Sequence, residues 1–321
     1  MVISRRQLLQ SAIMGGGLVS LGSLYSKVSA KSSSVIIPPL PLVPDLQHNF
    51  NPLILSREFD YGTVKKEKGL TVREFQLTAN SQTIQLNSAI SFVSWNVNNR
   101  IPAPTLRAKQ GDILRIFFNN EDGHSHTLHF HGIHGSEMDG VTPIKRGENF
   151  IYEFEAKPFG VHLYHCHIPP VTRHVSKGLY GVLIIDPPKP RPPADEIVLV
   201  MGGYDINNDD KNELYAFNGI PNFFRDYPIP IYQHQLIRLY ILNMIEFDSA
   251  TTFHIHGNMF RVYPTGMTLT PSYTSDVITM GVAERHILEF TYDYLGKFMF
   301  HPHQDYIAEH GCMGNFQVVS R

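Results

Sequence analysis

Thr127-Leu128-His129-Phe130-His131-Gly132 returns later in the chain as Thr252-Phe253-His254-Ile255-His256-Gly257. Other pairs keep the same order. Ile113-Leu114-Arg115-Ile116-Phe117 matches Leu236-Ile237-Arg238-Leu239-Tyr240. Gly160 precedes His165 as Gly296 precedes His301, and Gly178-Leu179-Tyr180-Gly181 matches Gly311-Cys312-Met313-Gly314. One unit is written twice. Each copy consists of short runs rich in Val, Ile, Phe, Tyr and Thr, separated by Gly, Pro, Asn and Asp, with few segments of helical period. This is an all-β sandwich pattern.

Pro187, Pro188, Pro190, Pro192 and Pro193 make residues 187–195 a stiff linker. It divides a first domain, 70–186, from a second, 196–321. Residues 31–69, with Pro38, Pro39, Pro41 and Pro44, read as an extended Pro-rich arm. Residues 1–30 read as a targeting segment. Arg5-Arg6 precedes an apolar stretch, and Val28-Ser29-Ala30 ends it with a small-residue cleavage pattern. This resembles a twin-arginine export signal, and implies a periplasmic or secreted protein. Gly15, Gly16 and Gly17 argue against a stable spanning helix, so no lasting membrane insertion is expected.

The 321 residues carry 27 Lys+Arg against 29 Asp+Glu, a balance without the basic surplus of a nucleic-acid binder. Two cysteines cannot build a disulfide framework. Histidine stands out with 17 copies, ten of them in five His-x-His triplets. Four triplets fall at repeat-equivalent places: His129/His131, His165/His167, His254/His256 and His301/His303. In a strand, residues i and i+2 share a face, so each triplet can turn two imidazoles toward one metal centre. Eight imidazoles suffice for three copper ions. Cys166, between His165 and His167, faces the opposite side. So does His126, three residues before His129. With His174 they form a His₂Cys set, the ligand pattern of a blue-copper site. Leu179 falls where an axial ligand would sit and cannot coordinate. The second copy lacks the set: Pro302, Thr251 and Ile307 stand near the equivalents of Cys166, His126 and His174.

These motifs resemble the multicopper oxidases, and the two-domain length resembles the bacterial two-domain laccases. The resemblance implies two cupredoxin-like Greek-key β-sandwiches and four coppers per chain. Cys166, His126 and His174 would hold the type 1 copper, and His129 and His254 the type 2. His131, His165, His167, His256, His301 and His303 would hold the type 3 pair. The implied activity is one-electron oxidation of phenols or other small reductants, coupled to four-electron reduction of dioxygen to water. Asp139 resembles the family's proton-relay carboxylate, and Glu309 is a second candidate. His124 reads as solvent-exposed and Cys312 as a buried free thiol, while His134 and His162 stay unassigned, either of them able to line the substrate or the cluster pocket.

Two other readings compete. A copper nitrite reductase has no use for the second histidine of each triplet. A non-catalytic copper carrier would favour methionine-rich tracts, and the ten methionines here are scattered. The sequence leaves the donor open among phenols, aromatic amines, Cu(I), Fe(II) and a small redox protein. It does predict an assembly. The cluster histidines divide four and four, and the linker is short and stiff. A head-to-tail homotrimer, as in the related two-domain laccases, would bring the first-domain four of one chain to the second-domain four of its neighbour.

Overall fold

The structure, a computed structural model, describes residues 35–43 and 50–321. The expected export segment lies outside them. Among the described residues no helix is long and apolar enough to cross a membrane. Residues 35–43 carry no regular structure. Within the stretch read as an extended arm, Pro52–Leu55 form a helical turn capped by Asn51, and Thr63–Glu67 form an edge strand.

The fold is all-β, two sandwiches in series. In the first, one sheet pairs Leu70–Gln85 in parallel with Ile113–Asn120, which pairs antiparallel with Asn149–Glu155. The facing sheet runs Leu106–Lys109, Tyr180–Asp186, Gly160–His165, His129–Phe130. The second sandwich repeats both arrangements. Asp195–Tyr204 pairs in parallel with Ile237–Met244, which pairs antiparallel with Arg285–Phe290. The facing order is Ile229–Tyr232, Gly314–Val319, Gly296–His301, Ala250–Ile255, with Val277–Gly281 added at the edge. Register repeats as well: His129 lies opposite His165, and His254 opposite His301.

Strand alternation also joins the domains. On Tyr180–Asp186, Leu183 and Ile185 point into the first core, while Val182 and Ile184 pack with the second domain's core. Val161 and Leu163 do the same on the neighbouring strand. These strands are therefore covered on both faces, which is why Gly160–His165 is buried throughout. Ion pairs pin the boundary. Arg57 bonds Asp195, and the Arg107 guanidinium reaches both Asp186 and Glu196. Arg191 of the linker donates to the carbonyls of Gly266 and Thr268.

Candidate metal centres

His126 leaves its β-bridge with Ile144 pointing inward, Cys166 follows the end of strand Gly160–His165, and His174 sits on helix Val171–Ser176. The three buried side chains converge. Cys166 Sγ lies 3.7 Å from His126 Nδ1 and 3.3 Å from His174 Nδ1, and the two nitrogens are 3.2 Å apart. His126 Nε2 lies 2.8 Å from Asp122 Oδ2. That carboxylate accepts a hydrogen bond from Nε2–H and leaves the Nδ1 lone pair free, the usual orientation of a metal-ligating imidazole. Burial opposes the charge on Asp122. Hydrogen bonds from Ser81, His126 and His124 nonetheless hold its carboxyl well below the usual carboxylate range. Burial pushes the Cys166 thiol up and the His174 imidazole down to about 4. Leu179 is buried beside the site and tied to it by backbone bonds to Cys166 and His174. The Trp95 ring covers His174 and also stacks on His124, at centroid distances of 4.9 Å and 4.3 Å.

On the other face of the same strand, His129, His131 and His165 bring their nitrogens together. His131 Nε2 is 2.8 Å from His165 Nε2, and His165 Nδ1 is 2.7 Å from the Cys166 carbonyl. His167 stacks on His129, its Nδ1 buried and without a hydrogen-bond partner. Burial, reinforced by neighbouring imidazoles, pushes His131 down to about 3, and burial takes His165 to about 4. These rings are neutral, the form that binds metal. Asp139 Oδ1 is 2.9 Å from His129 Nδ1 and 3.8 Å from His134 Nε2.

The second domain repeats this arrangement. His256 Nε2 is 2.9 Å from His301 Nε2, and His301 Nδ1 is 2.7 Å from the Pro302 carbonyl. His303 packs on His254, as His167 does on His129. His254 Nδ1 meets the Asp276 carbonyl oxygen at 2.8 Å and its carboxylate at 3.8 Å. His256 and His303 are exposed. Among the described residues, every converging histidine set comes from one domain, and none mixes the two.

The structure thus brings together His126, Cys166 and His174 as one set. It gathers the eight cluster histidines as two matching fours, and it sets Asp139 against His129. Glu309 instead ends helix Asp305–Glu309, exposed and with no hydrogen bond to a histidine. The carboxylate nearest the second-domain site is Asp276. His124 is exposed, with 56% of its side chain accessible, and bonds Asp122. His134 lies against His129, and buried His162 faces the carbonyls of His131 and Pro158. Cys312 is a buried free thiol. Sequence reasoning missed Asp122, Trp95 and Asp276. Only Asp122, four residues before His126, carried a signal, as an acid next to a ligand motif.

Two family models described as multicopper oxidase match residues 78–190 and 191–321, most of the chain between them. The chain belongs to the multicopper oxidase family. A crystal structure of a multicopper oxidase superposes with a TM-score of 0.84 at 46% identity, covering 85% of this chain and 98% of that one. The blue copper oxidase from Nitrosomonas europaea superposes at 0.69 and 26% identity, covering 77% of this chain and 86% of that one. The copper-containing nitrite reductase of Neisseria gonorrhoeae is 23% identical over 261 residues, 74% of this chain and 66% of that protein. This multicopper oxidase spans about two thirds of the length of that relative. Family membership implies copper, and the donor sets fit it: a cysteine sulfur with two imidazoles on one face, imidazole clusters on the other.

Proposed function

We propose that this chain is a laccase-like oxidase that takes electrons from phenols or related small reductants and passes them to dioxygen. The observation that carries this reading is the doubled half-site, in which both members of each His-x-His triplet join a histidine cluster. A mononuclear catalytic site, as in a nitrite reductase, would leave half of these imidazoles without a task. Four coppers per chain follow: one at Cys166, His126 and His174, and three shared by the eight cluster histidines. Copper there supplies one-electron acceptance from the reductant and four-electron reduction of dioxygen to water.

The chain's own residues do the rest. Cys166 presents its sulfur to one face and, through its flanking peptides, joins it to His165 and His167 on the other. Trp95 and His124 cover the sulfur side, where a reductant would approach. Asp139 accepts a hydrogen bond from Nδ1–H of His129, which fixes the tautomer and leaves Nε2 free to bind metal. Its side chain is 40% exposed, so the same carboxylate can exchange protons between solvent and the cluster face.

The half-sites stay separate within one chain, and the second has exposed imidazoles. This supports a homotrimer with each cluster between neighbouring chains, closed head to tail. The twin-arginine-type segment supports export to the periplasm or beyond. The decisive assay compares oxygen uptake on a phenol panel with uptake on Cu(I) and with nitrite reduction. Oxygen uptake on phenols is expected, and nitrite turnover without it would favour the reductase. Assembly is tested by mixing a His165→Ala/His167→Ala chain with a His301→Ala/His303→Ala chain under subunit exchange. Shared clusters restore activity at interfaces pairing two intact halves, and clusters within one chain restore nothing.

A further inference from the structure

Helix Val171–Ser176, which carries His174, has six residues and no side-chain N-cap. A helix this short has no stability of its own, so its position is imposed from outside. Val175 packs into the core cluster that runs into the second domain, and the Trp95 amide donates to the Lys177 carbonyl at 3.0 Å. The third anchor is polar and comes wholly from the second domain. Arg173 Nη1 donates to Asp205 Oδ2 and Asn208 Oδ1, each at 2.9 Å, and Nη2 donates to Asp210 Oδ1 at 3.1 Å.

Those acceptors belong to the turn that follows strand Asp195–Tyr204. The turn is wound around Asp205, whose side chain is 1% exposed and accepts the amides of Asp209 and Asp210. Asn208 and Asp210 take left-handed φ values of 62° and 65°, and a side-chain oxygen of each meets the Arg173 guanidinium. Asp209 and Glu213 add charge beside Asp205. The turn gathers negative charge around a buried carboxylate, and the cation it holds is Arg173. The Arg173 carbonyl in turn accepts Ser176 Oγ and the Lys177 amide, so the anchor grips the helix at its middle, one residue from His174.

We propose that Arg173 and the 205–210 turn form a latch through which the second domain sets the position of a metal ligand in the first. The proposal rests on reading Cys166, His126 and His174 as a copper site. Arg173 is a positioning residue and touches neither metal nor reductant. Charge-assisted bonds to a buried carboxylate are stronger than an exposed ion pair. Three acceptors around one planar fork are a geometry that lysine cannot reproduce.

The test uses Arg173→Ala, Asp205→Asn and, as a control, Arg225→Ala at a remote exposed ion pair. In metal-free protein, hydrogen exchange at the amides of His174, Lys177 and Gly178 should quicken at least about tenfold in the first two variants and stay unchanged in the control. In copper-loaded protein, the thiolate-to-copper band should shift or weaken at unchanged copper content. Arg173→Lys should rescue it only in part. Unchanged exchange and an unchanged band in both variants overturn the latch. A wild-type protein with no such band overturns the copper-site reading instead, and the exchange data still decide the latch. If Arg173→Ala does not fold, Asp210→Asn weakens one contact by removing its charge at an exposed residue. A roughly twofold rise in exchange is then expected, and no rise overturns the proposal.

Discussion

The two domains share a frame and differ in what fills it. Asn120 Oδ1 accepts the amide of Asp122, and its side-chain nitrogen donates to the Ile144 carbonyl. Asn243 does the same with Ile245 and Met280. His126 pairs with Ile144 as Thr251 pairs with Met280. The Leu179 amide closes on the His174 carbonyl, and the Cys312 amide closes on that of Ile307. These matches put Ile245, Thr251, Pro302, Ile307 and Cys312 at the positions of Asp122, His126, Cys166, His174 and Leu179. Every polar member of the first domain's sulfur site is replaced by a less polar or non-ligating residue. The histidine face, by contrast, is kept residue for residue. A scaffold can therefore lose one face of a strand pair and keep the other, because alternation lets the two faces vary independently.

The comparison can be broken most sharply at its centre. Cys166→Ser should abolish the blue colour and reduce oxidase turnover to background, while Pro302→Ala, at the matching position, should keep both. Absorbance and oxygen uptake check this. Next come the two carboxylates. Asp139→Asn should keep copper content and slow turnover at least about tenfold. Asp276→Asn keeps the backbone carbonyl that bonds His254 and should change turnover by less than about threefold. Equal losses would mean that the two carboxylates do the same work.

A smaller effect is expected at Asp122. Asp122→Asn should lower copper affinity at the sulfur site by about tenfold, the low end for a residue that orients a ligand. Ile245→Asn should leave metal binding unchanged. Equilibrium dialysis, with the band as readout, measures both.

The smallest effect concerns pH. His286 is buried with neither ring nitrogen partnered, and Phe150 is its counterpart in the first domain by strand register. Burial lowers its pKa, with Glu284 opposing and Arg285 assisting. The unfolded chain then binds a proton at this site below its ordinary value near 6.5, and the native chain resists it. Stability contributed here is complete above that pH and is lost as pH falls below it. His286→Phe should reduce the drop in melting temperature between about pH 7.5 and about pH 5.5 by a few degrees. An unchanged drop would show that His286 finds a proton acceptor in solution.

The duplicated strand pattern was legible in the sequence, and so was the spacing of the histidines and the cysteine that the structure brings together, because alternation and spacing encode them locally. Asp122 was harder to read, since an acid in a polar loop looks like any turn residue until its carboxylate is seen against His126. Asp276 was hidden for another reason. It lies 22 residues after His254 and reaches it only through pairing of Ala250–Ile255 with Val277–Gly281. Glu309, the second relay candidate, closes the helix that follows His303, which carries it to an exposed end. Arg173 and its acceptors could not be read at all, because their contact depends on how two sandwiches pack.

The hydrogen bond from His165 to the carbonyl of Cys166 would matter for speed if the proposed function holds. It would then add a second conductor alongside the covalent one, and both are built within three consecutive residues. Its twin at His301 and Pro302 has the same geometry but no sulfur beside it. Such a circuit would be short and free of any hinge, so gating of current would fall to its two ends.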